Sequence, residues 1–229
     1  MLQELNIASR ANRVRRYSGM EHASPAKNRE LVTAMETAGS HRWFSRDTEI
    51  YAEKERAEYL YMLVSGAVRA YKVVMDGRRL ISAFYMPGDI FDLEASKNHV
   101  LSTEAIVNSD ALLVRRDAIM TLAARDPELM QQLWTSCTQE LRRSQEHMLL
   151  LNRYAEERIA SFLLEMSRRT NSTSVHLPMS RQDIGDYLGL TSETISRMLT
   201  KLESSGAIHL PTCKQIALRN RAKLEQLVI

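Results

Sequence analysis

The stretch Asp186–Ile208, DYLGLTSETISRMLTKLESSGAI, concentrates side chains suited to reading another molecule. Glu193 and Arg197 stand four residues apart, with Ser192 and Ser196 beside them. On a helix that spacing puts both charges on one face. An Arg guanidinium can donate two bonds to O6 and N7 of guanine, and a carboxylate can accept from the N4 amino group of cytosine. The spacing also lets the two brace each other. The plainer alternative is a surface ion pair, worth about a few tenths of a kcal/mol. The neighbouring elements decide between the two.

Upstream, Ser180 and Asp183 have capping-box spacing, so a helix starts at Ser180. Ile184 and Leu188 share its inner face, and Gly185 lies where a second helix could approach closely. Gly189 ends it, because glycine accepts the left-handed terminal conformation. Leu190 is expected as a buried plug in the turn, and Thr191 or Ser192 caps the next helix. Ile195, Leu199 and Leu202 then form an inner stripe. Two short helices joined by such a turn make a helix-turn-helix, whose second helix presents its N-terminal outer face to base edges in a DNA major groove. Base contacts are therefore expected from Ser192, Glu193, Ser196 and Arg197. Contacts to the DNA backbone are expected from Arg181, Thr191, Thr194, Lys201 and Lys214. After Gly206, AIHL and QIAL flank Pro211–Lys214 as a two-stranded wing, and Asn220 caps a last helix over Arg221–Val228.

The rest of the chain must position this unit. Residues 1–28 are polar and Arg-rich without a sustained period, and read as an arm. NRELVTAMETAG places Leu31, Met35 and Ala38 at helical spacing, and Gly39 ends that helix. From Arg42 to Arg115, short alternating runs are punctuated by glycines at 66, 77 and 88, the pattern of an all-β meander or small barrel. Asp76-Gly77 marks a hairpin turn. A short helix follows over Asp117–Ala124, and Asp126-Pro127 opens a long one. Along it Met130, Trp134, Cys137, Leu141, Ser144, Met148 and Leu151 alternate in steps of four and three, the seam of a self-associating coiled coil. A further helix spans Tyr154–Arg169, and VHLP is a short strand. The division is an arm over 1–28, a β-rich domain over 29–125, a dimerisation helix over 126–152 and a winged helix-turn-helix over 153–229.

DIGDYLGLTSETISRML, preceded by a β-domain containing MPGDIFD and a long helix, resembles the Crp/Fnr superfamily of bacterial transcription regulators, and ETISR is similar to its Fnr and FixK branches. The resemblance covers roughly Arg29–Val228. It implies an α+β chain: a cyclic-nucleotide-binding-type β-roll, a dimerisation helix and a C-terminal winged helix-turn-helix. It implies a homodimer on a TTGA-type inverted repeat of double-stranded DNA, with Glu193, Ser196 and Arg197 reading bases. A FixK-like role, activating genes of low-oxygen respiration or nitrogen fixation with RNA polymerase as a partner, follows from the resemblance alone. A regulator gated by a small effector, cyclic nucleotide or redox, is the alternative.

The chain also departs from the family. Leu101 precedes Ser102 where cyclic-AMP-binding members carry a phosphate-binding Arg, and Leu93 falls near the expected Glu. Without its guanidinium a buried phosphate loses a bidentate, charge-assisted contact. No cysteine precedes Cys137, which rules out the N-terminal iron–sulfur cluster of the Fnr branch in its usual form. His41, His99 and His147 are scattered singly and call for no haem. Asp89, Asp92 and Glu94 read as loop solvation; no nucleophile triad, P-loop or metal-ligand spacing accompanies them, and no enzyme, cofactor or metal site is expected.

The remaining totals agree. The net charge is +3, and the surplus lies in Asn152–Ile229, with eleven basic residues against eight acidic. Cys137 and Cys213 are too few for a disulfide framework and suit a reducing cytoplasm. Cys213, in the wing turn, is a candidate redox reporter. No apolar run suggests a signal peptide or a membrane span, so a cytoplasmic protein is expected.

Overall fold

The computed structural model describes residues 29–228; the arm expected over residues 1–28 lies outside them. Helix α1 (Arg29–Ala38) buries Leu31 and Met35, whereas Ala38, the third residue at that spacing, is exposed at the helix end. Eight strands follow: β1 (Ser40–Phe44), β2 (Glu49–Tyr51), β3 (Tyr59–Ser65), β4 (Val68–Val73), β5 (Arg79–Tyr85), β6 (Ile90–Phe91), β7 (Ser102–Ala105) and β8 (Ser109–Arg115). They form two four-stranded sheets, ordered β1-β8-β3-β6 and β2-β7-β4-β5, with antiparallel pairing throughout. The turn from β4 to β5 places Gly77 at φ 81°, a conformation that a Cβ would strain.

One core of the roll contains Phe44, Tyr61, Leu63, Val68, Phe91 and Leu113. Its aromatic rings stack, Tyr61 on Phe91 at 5.0 Å and Tyr85 on Phe91 at 4.9 Å. Leu101, at the position of the missing arginine, packs against this same cluster. A second core lies beneath α1 and α2 (Arg116–Ala123), where Leu31, Met35, Leu112 and Ile119 meet Leu129 and Leu133 of the long helix.

That helix, α3 (Pro127–Leu150), starts where Asp126 accepts from the backbone N–H groups of Glu128 and Leu129. Leu129, Leu133 and Ser136 face its own domain. The seven seam residues lie on its other side and are exposed on the single chain: Trp134 is 71% exposed, Leu141 59% and Met148 61%.

Helix α4 (Ala155–Thr170) buries Ile159, Phe162, Leu163 and Met166, and ends where Asn171 takes a left-handed φ of 47°. The C-terminal unit continues through β9 (Ser174–His176), α5 (Arg181–Leu188), α6 (Ser192–Ser204), β10 (Ile208–His209), β11 (Gln215–Leu218) and α7 (Arg221–Gln226). Its strands form a sheet ordered β10-β11-β9, so the strand expected at VHLP joins the two expected in the wing. Its apolar core is continuous with Ile81, Phe84, Met86 and Ile106 of the roll. The Phe84 ring meets those of Phe162 and Tyr187 at 6.3 and 5.1 Å.

Candidate nucleic-acid interface

Local chemistry fixes the two helices of the motif. The Ser180 side chain accepts from the Asp183 N–H, and the Asp183 carboxylate accepts in return from the Ser180 N–H, a complete capping box. Gly189 closes α5 at φ 63°. At Gly185 the close neighbour is the turn before the second helix: a Cβ there would lie 2.5 Å from the Leu190 carbonyl oxygen. Leu190 is half-buried against the core, less enclosed than the plug expected of it. Arg158 on α4 donates to the Leu188 carbonyl at 2.8 Å, supplying a partner for the carbonyl-rich end of α5. Nothing local in the sequence pointed to Arg158.

Thr191 caps α6 by accepting from the Thr194 N–H, and the two hydroxyls lie 3.1 Å apart. Ile195, Leu199 and Leu202 are buried beneath, so the helix can turn only one face outward. Glu193, Ser196 and Arg197 are exposed on that face, and Ser192 is half-buried at its start. The bracing expected between Glu193 and Arg197 is not formed: the i,i+4 ion pairs among the described residues are Arg142–Glu146, Glu165–Arg169 and Arg221–Glu225. Glu193 instead accepts from the Ser192 hydroxyl at 3.2 Å. Its own backbone N–H, and then the Thr191 and Ser192 hydroxyls, hold its carboxyl below the usual range, so it is an anion and a hydrogen-bond acceptor at neutral pH.

The flanking cations differ in freedom. Lys214 is exposed in the wing turn. Arg181 is half-buried and donates to the Cys213 carbonyl at 3.1 Å; burial pulls its pKa down, and its Nη1 has no partner among the described residues. Lys201 forms an ion pair with Glu156 of α4. The guanidinium and the ammonium thus hold the unit together, whereas Lys214 is open to solvent. Both cysteines are exposed; burial of part of Cys137 pushes its thiol pKa up.

Three residues read as loop solvation have other places. Asp89 is an ion-pair partner of Arg143 on α3 and Arg169 on α4. Asp92 and Glu94 gather with His99 in one irregular loop, where sequence spacing gives no sign of the approach. Burial raises the Asp92 pKa to about 6, against the lowering effect of Arg116 and His99.

The fold and this exposed helix face define a class: a DNA-binding module of winged helix-turn-helix type, joined to a β-roll by a long helix. Residues 157–227 match the Crp-like helix-turn-helix domain, and residues 41–126 match the cyclic nucleotide-binding domain. The chain is 44% identical over 214 residues to the nitrogen fixation regulation protein FixK of Azorhizobium caulinodans, covering 90% of this chain and 84% of the relative. It is 39% identical over 182 residues to FixK of Rhizobium meliloti, covering 78% and 82%. The solved structure of FixK2 from Bradyrhizobium japonicum superposes with a TM-score of 0.80 at 47% identity, covering 83% of this chain and 98% of that one. The chain belongs to the Crp/Fnr family of DNA-binding transcription regulators, in its FixK branch. No helix among the described residues is long and apolar enough to cross a membrane.

Proposed function

We propose that the protein is a transcription activator that binds as a homodimer to a TTGA-type inverted repeat and controls genes of low-oxygen respiration or nitrogen fixation. The observation that carries this reading is the free outer face of α6. Glu193, Ser196 and Arg197 point to solvent over a fully buried stripe, with no ion pair between the two charges. Arg197 donates to guanine, Glu193 accepts from a cytosine amino group, and Ser192 and Ser196 bond to neighbouring edges. Thr191, Thr194 and Lys214 contact phosphates on either side.

The exposed seam of α3 supports the pairing. Trp134, Leu141 and Met148, with Met130, Cys137, Ser144 and Leu151, present a stripe that a second copy would cover. Dimeric helix-turn-helix proteins read half-sites about 34–36 Å apart, one turn of duplex, and a dyad between two copies calls for an inverted repeat. Activation is supported by a relative named transcriptional activatory protein AadR, from Rhodopseudomonas palustris, 35% identical over 185 residues. Cyclic-nucleotide gating is disfavoured by Leu101, which is half-buried against the apolar cluster and brings no guanidinium for a phosphate.

Selection of bound sites from random duplexes by the full-length protein tests this reading. Symmetric sites with TTGA half-sites one turn apart are expected. Enrichment of asymmetric or unrelated sequences would overturn it.

A further inference from the structure

Far from the helix-turn-helix, the connection between β6 and β7 brings Asp92, Glu94 and His99 together, with one donor atom of each within 4.8 Å of the others. His99 Nδ1 lies 3.0 Å from Asp92 Oδ1 and 3.5 Å from Glu94 Oε1. Donors about 2.1 Å from a tetrahedral or octahedral ion stand about 3.0–3.4 Å apart, so these separations already approximate a coordination sphere.

Several features of the loop lack a return from protein contacts alone. The Asp92 side chain has no solvent exposure, and that of His99 is almost fully buried. Asp92 Oδ1 is used twice, by His99 and by Arg116 Nη2 at 2.9 Å, while Oδ2 is buried with no hydrogen-bond partner. A carboxylate oxygen orphaned in this way has lost its hydration with no protein donor to replace it. Asp92 also sits at φ 66°, a region that favours glycine.

We propose that Asp92, Glu94 and His99 form a binding site for a divalent first-row transition cation. One imidazole nitrogen with two carboxylates suits Zn²⁺, Mn²⁺, Fe²⁺ or Co²⁺, whereas Ca²⁺ and Mg²⁺ favour oxygen-only sets. The supports around the donors are of the kind metal ligands receive. Arg116 donates to the Asp92 backbone carbonyl at 2.9 Å and forms an ion pair with its carboxylate at 2.9 Å, fixing that ligand's direction. The Tyr51 ring stacks on His99 at 3.7 Å and 13°, holding the imidazole plane. Glu94, with its side chain 24% exposed, leaves a path for the ion and for water at the remaining positions. Binding requires neutral His99 with its Nδ1 lone pair turned to the ion, so the His99–Asp92 hydrogen bond is exchanged for two metal bonds.

The test uses the full-length protein without an affinity tag, stripped with EDTA, exchanged into chelator-free buffer and titrated with Co²⁺. Visible absorption reports the ligand field, calorimetry reports stoichiometry, and Zn²⁺ or Mn²⁺ serves as competitor. One Co²⁺ per chain is expected, with a d–d band that either competitor removes. Glu94→Gln should weaken binding by at least about tenfold. Asp92→Asn should abolish the saturable signal; should that variant misfold, Glu94→Gln, at a partly exposed side chain, still decides the matter. Less than half an ion per chain in the wild type would overturn the site, and would mean that a proton on Asp92 meets its orphaned oxygen. Equal affinity of wild type and Glu94→Gln would overturn it as well.

Discussion

Arg69 on β4 and Asp183 on α5 meet at 2.8 Å across the junction of the roll and the helix-turn-helix, with side chains only 10% and 4% exposed. Arg79 reaches the same Asp183 oxygen at 2.6 Å and Asp186 at 3.0 Å, while Arg69 also binds Glu104 at 2.9 Å. Asp183 is therefore both the third residue of a capping box and the anion on which two guanidiniums converge. The buried partners make it far more than a surface pair. Removing one member of such a set leaves charge without a partner in a dry place, whereas an exposed pair would cost almost nothing. Asp183→Asn should lower stability by about 3 kcal/mol in urea denaturation. A loss under 1 kcal/mol would mean that water replaces the lost contacts.

Gly185→Ala separates helix propensity from packing. Propensity alone would stabilise α5 by about 1 kcal/mol. The added Cβ instead meets the Leu190 carbonyl oxygen at 2.5 Å, and backbone cannot move aside as a side-chain tip can. The expected outcome is a loss of about 1–3 kcal/mol, read as a lower unfolding midpoint, with weaker duplex binding. A stabilised variant would contradict the close approach.

On the α6 face, Arg197→Ala and Lys214→Ala should fail differently. Loss of a bidentate guanine contact costs about 1–3 kcal/mol at the matched site and little on scrambled duplex. Loss of the wing lysine should weaken both duplexes alike and reduce the salt slope by about one. Titrations of both variants on matched and scrambled duplex, at several salt concentrations, distinguish the two. Identical patterns would refute the division of labour.

Leu141→Glu tests the α3 seam. Each chain would place a carboxylate where a leucine is to be covered, and burying one leucine is worth about 1.5–3 kcal/mol, counted twice in a dimer. Sedimentation velocity should show the dimer dissociation constant raised at least about 100-fold, while the monomer keeps its far-UV spectrum. Unchanged sedimentation would place the dimer contact elsewhere.

His147 supplies a pH dependence. Its ring stacks on Tyr187 at 4.0 Å, its Nε2 lies 2.7 Å from the Tyr187 carbonyl, and burial lowers its pKa. The folded chain thus disfavours the imidazolium that the unfolded chain forms below about pH 6.5. Its contribution is present above that value and is lost as pH falls below it. Asp92, with its raised pKa, acts in the opposite direction, but equally in wild type and variant. Urea denaturation at pH 7.5 and 5.0 should show wild type losing more stability on acidification than His147→Gln. Parallel losses would count against a buried, neutral imidazole.

What was legible in the sequence was local. The capping box at Ser180, the left-handed Gly189, the Thr191 cap and the Ile195-Leu199-Leu202 stripe each depend on neighbours within a few residues, and all are present. The glycines at 66, 77 and 88 all adopt positive φ at strand junctions, for the same reason. The contacts of Arg69 with Asp183 and of Asp89 with Arg169 join residues 114 and 80 apart, and no periodicity announces them. The Asp92–Glu94–His99 cluster escaped for another reason: its spacing belongs to an irregular loop, where sequence distance says nothing of direction. The Glu193–Arg197 pair shows the converse, since helical spacing permits an ion pair without requiring one.

The outer face of α6 has a consequence for how such regulators diverge. Glu193, Ser196 and Arg197 have no ion-pair or hydrogen-bond partner on another described element, while the residues beneath them carry the packing. Exchanges at Glu193, Ser196 or Arg197 should therefore shift stability by no more than about 0.5 kcal/mol. A lineage can rewrite which promoters it answers to without first reinforcing its scaffold, so the operator sequence can drift while the architecture stays fixed.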